Sequence, residues 1–277
     1  MNMKMKVNKY FVIAAVLIMA LAVWGPEALA RYQDRTILNQ ISVETMETGS
    51  EGYRYSLSSN EKLYIVSKCL NNQILPESEL SSMTRQTSGD VDYEELTGAY
   101  AFVVNHKGPS EREITDDQIF ETCNAGLESL KELEILPASV KSIEASSYTA
   151  ALYSAIDVLE PRNNVSVWKV SLATRRQNAD KSNRLIEAYI DADTGKIYEF
   201  YARTKLSWEE IDPDEIILKW AGYMGLSEPE AYETANPLTE TTPYFKKYRF
   251  AGMEEGSTVV TIGFYEGISE VFLKVSK

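Results

Sequence analysis

Two periodicities take turns along this chain. A repeat of two, apolar against polar, marks strands, and a repeat near 3.6 marks helices with one buried side. Ser58, with Glu61 three residues on, forms a capping box, and Leu63, Val66 and Leu70 with Ile65 and Cys69 then draw a helical stripe. A short alternating run, "YRYSL", precedes it, and "GAYAFVVNH" reads as a further strand. From Glu113 a second amphipathic helix is expected, with Thr115 as N-cap and acids in its first turn. Four strand-like runs follow, at 140–159, 165–175, 184–191 and 196–203. Trp168, Val170 and Leu172 share one face of their strand, Ile186, Ala188 and Ile190 one face of the next, and Tyr198, Phe200 and Ala202 one face of the last. The order then recurs. A helix from Glu210, with Asp212 as N-cap and Pro213 at the first helical position, leads into strands at 244–250, 258–264 and 268–275. Glu113, Ile114, Asp117 and Ile119 reappear as Glu210, Ile211, Asp214 and Ile216. The fold class expected is α+β, with tandem units each laying a helix on an antiparallel sheet.

The first thirty residues have a different character. Lys4, Lys6 and Lys9 precede an uncharged apolar run from Tyr10 to Trp24, and small residues follow at Ala28 and Ala30. That is the arrangement of an export signal. The run is short for a membrane-spanning helix, which needs about 20 residues, but extending it to Ala30 leaves Glu27 at the far interface. Cleavage after Ala30 and retention as an anchor through residues 10–24 are both open, and either delivers the remainder outside the membrane. The layout expected is a signal peptide or transmembrane anchor over 1–30 and a stalk or linker over 31–52. A first α+β unit with an N-terminal helix–strand extension covers 53–205, and a second, smaller unit covers 206–277.

Composition narrows the partners. The chain carries 28 Lys and Arg against 41 Asp and Glu, and setting aside Lys4, Lys6, Lys9 and Glu27 takes the net charge from −13 to −15. Such a surface repels nucleic acid and anionic headgroups, so no nucleic-acid partner is expected. Cys69 and Cys123 could pair outside the cell or sit as buried thiols on their helices, and two thiols are too few for a zinc site. The single histidine, His106, lies at a strand end beside "KGPS" with no nucleophile motif nearby, which leaves a Ser/His/Asp or Cys/His arrangement without support. No glycine-rich phosphate loop with its lysine occurs. Catalytic residues, cofactors and metals are therefore not expected. Two carboxylates acting on a wall glycan form the surviving enzymatic alternative. Among 17 tyrosines and 4 tryptophans, Trp168, Tyr189 and Tyr201 make the candidate partner-binding face of the sheet, because such side chains join an apolar body to a polar tip.

The stretch "EAYIDADTGKIYEF" reads as two strands around Asp191, Asp193, Thr194 and Gly195. Gly195 falls where a hairpin needs positive φ, and an aspartate there accepts the turn's own N–H groups, so these four residues are assigned to a structural hairpin. A calcium loop would need more oxygen ligands than the chain offers after Thr194. With the helix and meander before it, this hairpin resembles the end hairpin of PepSY-like domains of exported bacterial proteins. The likeness covers about Glu113 to Arg203 and rests on Ile190, Asp191, Thr194, Gly195 and Ile197. The second unit keeps a glycine in "FYEGISEVF" but lacks the Asp and Thr. A basic leader followed by tandem units also resembles the single-pass regulators of Gram-positive cell-wall sensor kinases. These resemblances imply a cystatin-like fold and regulation or inhibition by binding, and offer no catalytic residue to carry over. The function expected is that of a non-catalytic, membrane-tethered binding or regulatory protein of a bacterial envelope, acting on an envelope protein or peptide. A wall-directed hydrolase and a purely structural envelope protein are the alternatives.

Overall fold

Helix α1, Ser59–Asn72, begins where the capping box places it: the Glu61 carboxylate accepts from the Ser58 N–H at 2.7 Å, and the Glu61 N–H donates to Ser58 Oγ at 3.3 Å. The computed structural model describes residues 54–72, 100–173, 182–233 and 240–276. The expected leader and stalk lie outside these residues. No helix among the described residues is long and apolar enough to cross a membrane.

Two further α-helices, α2 (Ile119–Glu132) and α3 (Pro213–Met224), and nine strands lie among the described residues. The strands are β1 (Tyr100–Val104), β2 (Tyr148–Asp157), β3 (Asn164–Leu172), β4 (Arg184–Asp191), β5 (Ile197–Arg203), β6 (Glu230–Ala231), β7 (Phe245–Ala251), β8 (Ser257–Tyr265) and β9 (Glu270–Ser276). All pair antiparallel in one sheet of order β1-β2-β3-β4-β5-β9-β8-β7-β6. The described residues thus form an α+β fold of three α-helices and a nine-stranded antiparallel sheet. The strands of both expected units belong to that sheet, joined where Phe200–Arg203 of β5 pair with Leu273–Glu270 of β9. From β2 to β6 the order reads alike from either end. Helix α2 precedes one set of four strands, α3 precedes the other, and the last strands of the two sets lie side by side. The order of elements thus has an approximate two-fold axis at the β5–β9 seam.

Both α2 and α3 pack on the same side of the sheet. Gly126 of α2 sits against Ile197, close enough that a Cβ would meet its Cδ1 at 3.0 Å, and Trp220 of α3 lies edge-on to Phe250 and donates to the Ile197 carbonyl at 3.1 Å. Trp168, Val170, Ala188, Ile190, Phe200 and Ala202 fill the space beneath them. Helix α1 behaves differently: it crosses one end of the sheet. Cys69 Sγ approaches the Ile156 carbonyl at the end of β2, and the Ser67 hydroxyl lies 3.5 Å from that of Thr258 at the start of β8. The Tyr64 ring stands edge-on to Tyr100 at the start of β1, with centroids 6.2 Å apart. The same ring also covers Gly252 and Gly256 in the β7–β8 turn, where any Cβ would collide with it. In a flat sheet β1 and β8, six places apart, would be separated by about 29 Å at ~4.8 Å per strand. One tyrosine touches both, so the sheet is strongly curled and Tyr64 bridges its mouth.

Several local expectations are corrected. "YRYSL" is no strand: residues 54–58 are irregular, with the Tyr55 N–H on the Arg162 carbonyl and Arg54 drawn to Glu113 and Ser166. Helix α2 spans from Ile119, but the turn that leads into it begins at Thr115, whose carbonyl accepts from the Gln118 and Ile119 N–H groups at 3.0 Å while Gln118 returns its side-chain oxygen to the Thr115 N–H at 3.2 Å. The run expected from Val140 makes one isolated parallel bridge, Lys141 with Arg184, and becomes a strand only from Tyr148, since Asn124 holds both the N–H and the carbonyl of Ile143 in a loop. Bulges between Leu185 and Glu187 turn Leu185, not Ile186, into the core. Cys69 and Cys123 are separate, buried free thiols, each pushed up to about 12 by burial.

Candidate functional site

The hairpin comes first, because it ties a buried carboxylate to a lysine of α1. Asp191 closes β4 and is only 3 % exposed. Its Oδ1 accepts from the Asp193 N–H at 2.9 Å, and its Oδ2 accepts from the Thr194 hydroxyl at 3.0 Å and the Tyr198 hydroxyl at 3.1 Å. Lys62 of α1 reaches Asp191 at 3.2 Å and Asp193 at 2.6 Å. Burial disfavours the Lys62 ammonium, but the two carboxylates outweigh it and leave its pKa raised. Gly195 has φ +73, and a Cβ there would stand 2.6 Å from Thr122 Cγ2 of α2, so both the turn and the packing demand glycine. Asp191, Asp193, Thr194 and Gly195 are therefore brought together as one bonded turn, and Lys62 ties it to α1. Beside it, a polar cleft of about 680 Å³ is lined by Arg54, Lys62, Arg112 and Asp193. Arg54 is paired with Glu113 at 2.6 Å. The charges that would attract a ligand are spent on holding the segment before α1 and the turn before α2 to the hairpin.

The expected aromatic face is not assembled. Trp168 lies under the helices, 1 % exposed, with its indole N–H on the Ile114 carbonyl at 2.9 Å. Tyr189 and Tyr201 point to the opposite side, because β4 and β3 pair Trp168 with Ile190 and thereby turn Tyr189 the other way. There Tyr189 is buried beside Glu187 and Glu199, and the half-buried Tyr201 stacks on Phe272 at 5.9 Å. Alternation along single strands assigns neighbours to faces, but it does not reveal which face of one strand continues into the next. His106 is exposed in the turn after β1. No group of three or more His, Cys, Asp or Glu among the described residues could hold a metal.

A second recess was not foreseen. It opens between the end of α2 and the start of α3 and has a volume of about 540 Å³. Its floor is aliphatic: Ile135, Leu136, Ile211, Ile216 and Val271 are all buried. Its rim is acidic, with Glu132, Glu134, Glu210, Asp212 and Glu215 exposed around it. The two lysines present are engaged, Lys131 with Glu128 at 2.8 Å and Lys219 with Glu134 and Glu215 at 2.7 Å. The Lys219 bonds hold the Glu134 carboxyl below its usual pKa. Asp212 caps α3 by accepting from the N–H groups of Asp214 and Glu215, as its position before Pro213 foretells.

Glu134 has a further peculiarity. Helices α2 and α3 end in the same bonding pattern: Glu134 N–H to Lys131 O and Ile135 N–H to Leu130 O in one, Gly225 N–H to Gly222 O and Leu226 N–H to Ala221 O in the other. That motif places one residue in the left-handed region, where glycine is the ordinary choice. Helix α3 has Gly225 at φ +74, whereas α2 has Glu134 at φ +58. The cost of the Cβ is borne by the residue that spans the groove to Lys219. Because the lining residues come from 131–138, 206–219 and β9, only the folded pairing of the halves creates this recess.

Comparison with protein-family models, with curated proteins and with solved structures finds no match for the chain.

Proposed function

We propose that this chain is a non-catalytic binding protein of the bacterial envelope, tethered by or released from its apolar leader, that holds a protein or peptide outside the membrane. The observation that carries the reading is the groove between α2 and α3, an aliphatic floor inside a charged rim, which suits contact with a chain better than chemistry on a small molecule. The carboxylates of the hairpin support it from the other side. Asp191 and Asp193 share one lysine and the turn's own donors. A helix followed by four antiparallel strands, twice over, is what supports tandem PepSY-like or cystatin-like units.

The test is photocrosslinking from the exposed face of α3. A crosslinking residue at Leu218, which is 55 % exposed, is placed in the full-length chain and irradiated in intact cells of its own host. A discrete adduct containing a second envelope protein or peptide is the expected result. Absence of adducts from Leu218 and from other exposed positions, together with turnover of wall glycan that is lost when one carboxylate is neutralised, would replace this reading with the hydrolase.

A further inference from the structure

We infer that the groove between α2 and α3 takes the first turns of a basic, amphipathic helix from a protein partner, seated as α1 is seated at the opposite end of the same fold. This rests on the binding role proposed above and adds the chemistry of the partner. The approximate two-fold axis exchanges the end of α3 with the end of α2. At the end of α3 the fold already shows what such a place receives. The N-terminal turn of α1 docks there, with Asn60 Nδ2 donating to Ser227 Oγ at 2.9 Å and the Ser227 N–H donating to Asn60 Oδ1 at 3.1 Å. Leu57, just ahead of α1, shares a small pocket with Met224, and Lys62 of the same turn reaches the hairpin aspartates. A leucine ahead of the cap and an amide in the first turn therefore satisfy the α3 end, with a lysine of the same turn on the hairpin beside it. The α2 end presents the matching surface: buried Ile135, Leu136, Ile211 and Ile216 for an aliphatic side chain, and Glu132 and Glu210 for a cation. Charge complementarity selects the sign of the partner, because both lysines in the groove are already neutralised by acids of this chain.

The probe is a fluorescent 15-residue peptide with Leu and Lys at helical spacing, titrated by anisotropy into the full-length chain in mild detergent at two salt concentrations. A counterpart with Glu in place of every Lys is the control. The basic peptide is expected to bind at least 10-fold more tightly than the acidic one. The double variant Glu132→Lys/Glu210→Lys is expected to weaken it a further 10-fold or more. Glu254→Lys/Glu255→Lys changes the net charge equally but lies in the β7–β8 turn, and it is expected to weaken binding less than twofold. Glu134→Gly, which restores the residue the helix end prefers, is expected to keep the melting temperature and still lose several-fold in affinity. Equal losses in the two double variants would mean diffuse attraction to an acidic chain and would overturn the inference. So would equal binding of the two peptides, or no binding at all. A discrete crosslinked partner that leaves the groove insensitive to charge reversal overturns the inference while the binding role stands.

Discussion

Asp191→Asn is expected to lower the stability of the protein by about 2–3 kcal/mol, because Lys62 keeps only the more exposed Asp193 and the buried donors to Asp191 lose their charged acceptor. For an ordered unit of this size that is a fall in Tm of roughly 10 °C. The Asp191 side chain is 4 % exposed and that of its partner Lys62 is 17 % exposed, so solvent screens the pair poorly. The amide cannot carry the charge that holds Lys62, and it leaves the Tyr198 hydroxyl and the Asp193 N–H competing for a single oxygen. Adding Lys62→Met to Asp191→Asn is expected to cost at most about 1 kcal/mol more, because the Lys62 pair with the part-exposed Asp193 is then lost as well. Urea midpoints of the wild type, the single variant and the double variant measure all three. The prediction also bears on function. A carboxylate reserved for chemistry is commonly replaced by its amide with little loss of stability, or some gain, so a cost below about 1 kcal/mol would free Asp191 for a catalytic reading.

Glu199→Gln is expected to do the opposite, and only above mildly acidic pH. Glu199 lies on the sheet face away from α2 and α3, surrounded by Tyr189, Tyr201, Glu187 and Lys274. Burial pushes its pKa up to about 7, opposed by the Val275 N–H, which donates to its Oε2 at 2.9 Å, by a hydrogen bond to Tyr201 and by Lys274. In the unfolded chain the same group ionises near 4.3. Between about pH 4.5 and 7 the folded state therefore holds more protons, and the stability contributed by this group is lost as the pH rises through that window. The total is on the order of 3 kcal/mol. Glutamine stays neutral and can still accept from Val275, so the variant should match the wild type near pH 4 and exceed it by that order at pH 8. Urea unfolding of both proteins at pH 4.5, 6 and 8 checks the slope. A difference that does not change with pH would show that Glu199 is ionised in the folded protein throughout.

Local signals in the sequence carried a good part of the fold. Ser58 with Glu61 and Asp212 with Pro213 marked two helix starts because a cap needs only residues within one turn. The turn at Asp191 to Gly195 was legible for the same reason: its donors and acceptors are its own backbone and side chains. Burial of Tyr198, Phe200 and Ala202 on one face followed from alternation. What escaped depends on chain segments far apart. The β5–β9 seam pairs residues about seventy positions apart, and no pattern of period two says which strand lies alongside. Tyr64 closes the curled sheet through two glycines that in sequence look like ordinary turn residues. Trp168 and Tyr189 were grouped as one surface, yet strand register sends them to opposite faces. The groove had no sequence signature at all. Its floor residues belong to runs read as core, its acids to helix ends, and only the position of Glu134 where glycine is ordinary hints that the site holds a side chain for a purpose.

Hydrogen exchange on the full-length chain, read by mass spectrometry with and without the partner recovered by crosslinking, tests the proposed role most directly. The account predicts slowed exchange in residues 131–138 and 206–219, with the hairpin at 191–196 unchanged. Protection confined to the cleft around Arg54 and Lys62, or to the strands bearing Tyr189 and Tyr201, would contradict it.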